Sequence, residues 1–169
     1  PRNTDFHYEL GFTYANNKKH MQAQICFRVV LHIDPDYAKA RIALGNLFQT
    51  VNRYDESVQQ YDLAIEQDNN YTKALNAKGL ALQKLGKYRE SLENILKADS
   101  IDPNNVDTLI GLGGAYQAFG DNEKAIEIYK RAYQLNPDVT ATHKCLLYAA
   151  LNNPYFTSQE LYDLHLEVR

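Results

Sequence analysis

Apolar residues along this chain recur at helical spacing. Within residues 106–139, Leu109, Leu112, Gly113 and Tyr116 fall three or four apart, which places them on one face of a helix. Ala125, Ile126, Ile128, Tyr129 and Ala132 follow the same rule in the second half of that stretch. A short polar turn, Gly120-Asp121, separates the two runs, and Gly86-Lys87 does so one stretch earlier. Glycine suits that place because a helix commonly ends on a residue of positive φ. The pattern predicts a helix–turn–helix.

The motif repeats. Gly11, Gly45, Gly79 and Gly113 recur at one constant interval, and Pro35, Asn69, Pro103 and Pro137 recur at the same one. The small residues Ala23, Ser57, Ser91 and Ala125 keep that interval, as do the larger Phe27, Tyr61, Ile95 and Tyr129. Four position types in one register divide the chain into units 4–37, 38–71, 72–105 and 106–139, which together span most of its length. Asp36, Asn70, Asn104 and Asp138 share the period. Their side chains suit a helix N-cap, and a preceding proline discourages the earlier helix from continuing. A mid-helix glycine costs ~1 kcal/mol against alanine. The four glycines are therefore expected to allow close backbone approach opposite Ala23, Ser57, Ser91 and Ala125.

These residues resemble the tetratricopeptide repeat family. Unit 2 carries Leu44-Gly45, Phe48, Ser57, Tyr61 and Ala64; unit 4 carries Leu112-Gly113, Tyr116, Ala125, Tyr129, Ala132 and Pro137. The customary tryptophan near each unit's start is absent, with His7, Arg41, Leu75 and Leu109 in its place, and Val30 stands where alanine is usual. The resemblance implies an all-α, right-handed superhelical solenoid whose first helices line a concave groove. Hairpins of this kind bury their apolar faces only by stacking, and the ends need caps. Residues 140–169 are expected to supply capping helices. Thr140–Leu151 carries Leu146, Leu147 and Ala150 on one face and stops at Asn152-Asn153-Pro154. Thr157 with Glu160 forms a capping box that predicts a last helix from Ser158 to near Val168.

The repeat frame assigns the groove. Its second position holds Asp5, Lys39, Lys73 and Asp107, and its fifth holds Tyr8, Ile42, Asn76 and Ile110. The ninth holds Phe12, Asn46, Leu80 and Gly114; the twelfth holds Ala15, Gln49, Gln83 and Gln117. The cap adds Lys144 and Tyr148. Apolar patches, amides able to hold an extended backbone, and cations in units 2 and 3 together suit a peptide. Two groove types known in the family do not fit. The clamp for carboxylate tails needs paired charged donors, but Tyr8 and Phe12, or Ile42 and Asn46, occupy its first positions. The asparagine ladder of sugar transferases would need asparagine where Glu9, Ala43, Ala77 and Gly111 stand.

Composition narrows the classes. Eighteen Lys+Arg against 21 Asp+Glu give a net charge of −3, which argues against a nucleic-acid binder working by phosphate neutralisation and against a polybasic membrane anchor. No apolar run approaches the ~18 residues a membrane span requires. Cys26 and Cys145 follow no metal or redox spacing and read as reduced thiols of a cytoplasmic protein. No two of the five histidines have the i, i+4 spacing of a helical zinc site. Gly111-Leu112-Gly113-Gly114 lies inside a repeat helix, whereas a phosphate loop follows a strand and opens a helix. No nucleophile elbow is present. The chain is expected to be no enzyme and to need no cofactor or metal.

The reading is an interaction scaffold for a protein or peptide partner, with no nucleic acid and no membrane, able to self-associate through the ends of the array. The chain opens at Pro1 and closes at Arg169 within a helical pattern, as a piece of a longer protein would. Leu146-Leu147-Tyr148, Asn152, Pro154, Ser158, Glu160-Leu161 and His165 resemble the segment joining repeats to the catalytic domain in bacterial-type O-GlcNAc transferases. That resemblance implies an alternative role as the substrate-docking arm of a larger glycosyltransferase.

Overall fold

A computed structural model describes residues 2–67, 71–137, 140–153, 157 and 159. Among them the chain forms nine α-helices and no strand. These are α1 (Arg2–Asn16), α2 (His20–Ile33), α3 (Ala38–Thr50), α4 (Tyr54–Gln67), α5 (Thr72–Lys84), α6 (Tyr88–Ile101), α7 (Val106–Phe119), α8 (Asn122–Leu135) and α9 (Thr140–Leu151). Each odd helix packs on the even helix that follows it, and each even helix packs on the next odd one. Successive odd helices also touch, α1 on α3, α3 on α5, α5 on α7 and α7 on α9, whereas no two even helices do. Crowding along one side and separation along the other bends the stack. The odd helices form the inner, concave wall of a helical solenoid.

The core is written in the even helices. Each buries a triplet at i, i+4 and i+7: Ala23, Phe27 and Val30; Ser57, Tyr61 and Ala64; Ser91, Ile95 and Ala98; Ala125, Tyr129 and Ala132. None of these twelve is more than 2% exposed. Full burial of one large side chain stabilises by ~1.5–3 kcal/mol, so the central member contributes the most within its triplet. The repeat glycines face that central member. A Cβ on Gly11 would stand 2.7 Å from Phe27 Cε1, and one on Gly45 would stand 2.6 Å from Tyr61 Cε1. Gly79 and Gly113 abut Ile95 and Tyr129 in the same way. The close backbone approach expected opposite the small residues is seen at Gly79, where a Cβ would stand 3.3 Å from Ser91 O. The nearest neighbour of all four glycines is nevertheless the large residue one turn further on, whose bulk reaches across the hairpin.

The turns inside the hairpins share one geometry. Lys18, Asn52, Gly86 and Gly120 have φ of 58°, 60°, 75° and 93°, and they recur at the repeat interval. In each, the next residue's N–H returns to a carbonyl five positions back: Lys19 to Tyr14, Arg53 to Phe48, Lys87 to Leu82 and Asp121 to Tyr116, at 2.8–2.9 Å. That bond is the mark of a Schellman helix end.

The helix starts lie one residue later than the sequence suggests. The residues before α3, α5 and α7 are Tyr37, Tyr71 and Asn105, and of these only Asn105 caps through its side chain, accepting from the Thr108 N–H at 3.0 Å. Asp36 and Asn104 therefore do not cap. Tyr37 N–H bonds Asp34 O at 3.2 Å and Asn105 N–H bonds Asp102 O at 3.3 Å. These are four-residue turns with proline second, and they place Asp36 and Asn104 third in the turn. Asp36 instead accepts from Gln67 Nε2 at 3.3 Å. Asn70 and Asp138 lie outside the described residues, as does the last helix expected over 158–168.

Stacking also dictates residue size. Ala40, Ala74, Thr108 and Thr142, each first-helix residues packed against the preceding hairpin, are at most 1% exposed. Their counterpart on α1 is Phe6, which is 62% exposed.

Candidate functional site

The inner wall carries two concavities that meet at α5. The first, of about 540 Å³, lies between α1, α3 and α5. Its floor is apolar, made of Tyr8, Phe12, Ala15, Ile42, Ala43 and Leu47, and Lys39 and Lys73 stand among its lining residues. Among the described residues no carboxylate lines it, although Asp34 and Asp36 line an adjoining hollow that shares Lys39 and Tyr71. The second, of about 410 Å³, lies between α5 and α7 and is lined by Asn76, Leu80, Asp107, Ile110, Gly111 and Gly114. Repeat geometry explains the layout. Residues at the second, fifth and ninth positions of each first helix step by three or four, so they share one helical face, and stacking aligns those faces.

The assigned positions divide into four groups. Tyr8, Phe12, Lys39, Ile42, Asn46 and Lys73 come together in the first concavity, and Asn76, Leu80 and Ile110 in the second. Lys144 and Tyr148 are exposed on α9 and line neither. The three glutamines differ from expectation, because their amides are engaged between helices. Gln49 Nε2 donates to Ala77 O at 2.9 Å, and Gln83 Nε2 donates to Gly111 O at 3.4 Å. Gln117 Oε1 accepts from the Tyr129 hydroxyl at 3.2 Å. The first two tie one hairpin to the next, whereas Gln117 is held within its own hairpin and keeps its Nε2 donors.

Two groove asparagines also have defined surroundings. Asn46 Oδ1 accepts from the Tyr61 hydroxyl at 2.6 Å, which leaves the Nδ2 donors as the part of that amide able to serve a ligand. Asn76 Oδ1 is enclosed with no hydrogen-bond partner and would stand 2.7 Å from a Cβ on Gly111. Gly111 and Gly113 thus answer to packing, against Asn76 and Tyr129, whereas a Cβ on Gly114 would meet only ordinary contacts at 3.7 Å and beyond. The glycine cluster holds no phosphate-loop geometry; it lies within α7.

Tyr37 and Tyr71 belong to this neighbourhood and were missed. Tyr71 lines the first concavity. Tyr37 stacks at 5.5 Å from Tyr8, and its hydroxyl donates to Asp5 Oδ1 at 3.2 Å. Both occupy the N-cap register, one repeat apart; aromatic residues at a place that favours small polar side chains are the signal that marks them. Burial raises the Tyr8 and Tyr37 hydroxyls above the usual phenol range, with the Asp5 bond adding to the effect at Tyr37. Both therefore act as neutral donors. Burial likewise raises the Cys26 and Cys145 thiols, so neither is primed as a nucleophile. Among the described residues no group of three or more His, Cys, Asp or Glu side chains could hold a metal ion, and no helix is long and apolar enough to cross a membrane.

Comparison with known proteins places this architecture. The family described as the Psidin N-terminal TPR repeats region matches residues 41–166. The chain belongs to this family. Several solved structures share the tetratricopeptide solenoid. PilF of Pseudomonas aeruginosa superposes with a TM-score of 0.83 at 23% identity, over 99% of this chain and 77% of that one. MamA of Desulfovibrio magneticus RS-1 superposes with a TM-score of 0.83 at 17% identity, over 99% of this chain and 94% of that one. A second MamA structure gives 0.80 at 16% identity, over 98% and 90%. At these identities the likeness is one of fold. No curated protein sequence matches the chain. Of the segment resembling the transferase linker, Leu146, Leu147, Tyr148 and Asn152 lie in α9 and its terminal turn. Pro154, Ser158, Glu160, Leu161 and His165 lie outside the described residues.

Proposed function

We propose that this repeat array is an interaction scaffold that holds an extended segment of a protein partner against its inner wall, with no catalytic step of its own. One observation carries the reading. The first concavity combines an apolar floor, in which Phe12 stays 50% exposed, with Lys39 and Lys73, neither of which has an ion-pair partner among the described residues. Exposed aromatic surface in a concave site has a cost that a partner removes by covering it. The net charge of −3 and the apolar lining weigh against RNA as the occupant, since helical RNA readers rely on basic grooves.

Peptides selected from a random displayed library against the whole chain provide the test. Phe12→Asp with Ile42→Asp should weaken their binding by more than about ten-fold, since each change places a charge on a floor that must desolvate. The melting transition should be kept. Glu93→Lys on α6, away from the inner wall, should leave binding unchanged. Equal binding to the Phe12/Ile42 double variant would overturn the reading.

A further inference from the structure

The groove has an electrical direction. At the second repeat position, Lys39 on α3, Lys73 on α5 and Asp107 on α7 form a ladder with one rung per repeat. Among the described residues, the first two line a concavity with no carboxylate, Lys39 also bordering a hollow lined by Asp34 and Asp36, and the third lines a concavity with no cation. None of the three takes part in a hydrogen bond or ion pair among the described residues. Ion pairs form elsewhere among the described residues, as between Lys78 and Asp62 at 2.6 Å and between Lys124 and Asp121 at 2.8 Å. The fourth member of the ladder, Asp5, is engaged by the Tyr37 hydroxyl and lies outside the first concavity.

Spacing turns this ladder into a pattern. Packed helices stand about 8–10 Å apart, and an extended peptide advances about 3.3 Å per residue. One step from α3 to α5, or from α5 to α7, therefore matches about three peptide residues. A side chain between Lys39 and Lys73 falls between α3 and α5, beside Ile42. Opposite charges along such a path guide encounter and fix register, whereas like charges in apposition exclude a ligand.

Resting on the peptide-groove reading, we infer that the occupant is an extended peptide with an ordered charge pattern. It presents a carboxylate to Lys39 and a second, about three residues on, to Lys73, with an aliphatic side chain between them. A cation follows, about three residues further, over Asp107. The order of charges fixes which end of the peptide lies towards α1.

The inference is tested by fluorescence anisotropy with the whole chain and two fluorescein-labelled heptapeptides at low salt. One is Asp-Leu-Ser-Asp-Ser-Ser-Lys; the other has every charge inverted, Lys-Leu-Ser-Lys-Ser-Ser-Asp. The first should bind at least about ten-fold tighter than the second, and the gap should close as salt screens the pairs. The variant Lys39→Glu/Lys73→Glu/Asp107→Lys, shown by circular dichroism and melting to keep its helices, should reverse the preference. Affinities equal within two-fold on the unaltered chain, an unreversed preference in the variant, or no binding of either peptide at millimolar concentration would each overturn it. The two readings separate cleanly. If Phe12→Asp/Ile42→Asp abolishes capture of library-selected peptides while charge order has no effect, the groove stands and its polarity falls.

Discussion

Gly45 lies so close beneath Tyr61 that a Cβ there would stand 2.6 Å from Cε1 and 3.0 Å from Cδ1 of the ring. Tyr61 cannot retreat. It is fully buried, its hydroxyl donates to Asn46 at 2.6 Å, and burial holds its pKa up at about 12. A residue at the centre of the core thereby fixes one that lines the groove.

Gly45→Ala should therefore destabilise the chain, although alanine is the better helix former by ~1 kcal/mol. Overpacking of a closed interior costs ~1–3 kcal/mol, and the ring has no room to give. Urea unfolding should show a net loss of up to about 2 kcal/mol. Combining it with Tyr61→Leu should be less damaging than the sum of the two single changes. Additivity of the pair would mean that the contact is not the cause.

Lys18 and Asn52 occupy a left-handed turn that Gly86 and Gly120 occupy in the later hairpins. A side chain with a Cβ is strained there by roughly 1 kcal/mol relative to glycine. Lys18→Gly should raise the urea midpoint, worth about 0.5–1 kcal/mol, and Gly120→Ala should lower it by a similar amount. Asn52→Gly should gain less, because asparagine tolerates this region better than lysine.

Much of this architecture was legible in the sequence because a stacked array is nearly one-dimensional: Gly11, Gly45, Gly79 and Gly113 recur because their surroundings recur. The inner-wall positions of α1, α3, α5 and α7 followed from the same frame. Gln49, Gln83 and Gln117 show where that legibility ends. Periodicity places them on the right helices, but whether an amide faces a ligand or a neighbouring carbonyl depends on the gap between hairpins, which no pattern records. The helix starts fail for a related reason. Pro35 and Pro103 set up turns that use Asp36 and Asn104 before the helix begins, and the resulting shift brings Tyr37 to the groove end of α3.

The structural role of the glutamines is testable. Gln49→Ala removes a bond from α3 to α5 and should lower stability by ~0.5–1.5 kcal/mol, as for an ordinary intramolecular hydrogen bond. Peptide affinity measured at saturating fold should not change. A variant of unchanged stability with weakened peptide binding would return this amide to the ligand.

Asp121 ties the start of α8 to acidity. Its Oδ1 accepts from the Lys124 N–H at 3.1 Å and its Oδ2 pairs with Lys124 Nζ at 2.8 Å. The side-chain bond to Lys124 first, and the backbone bond second, hold the carboxyl below its ordinary value of 3.8. A group whose pKa is lower folded than unfolded stabilises the fold above the unfolded value, and that contribution is lost as the pH falls through the folded one. Asn at the same place caps without titrating. The stability advantage of the unaltered chain over Asp121→Asn should thus be present at pH 6 and shrink below about pH 4. The site is open to solvent, so screening keeps the effect within about 1 kcal/mol. Urea titrations of both chains across that range provide the check. A difference that stays constant with pH would mean that the cap, and not its charge, is what α8 requires.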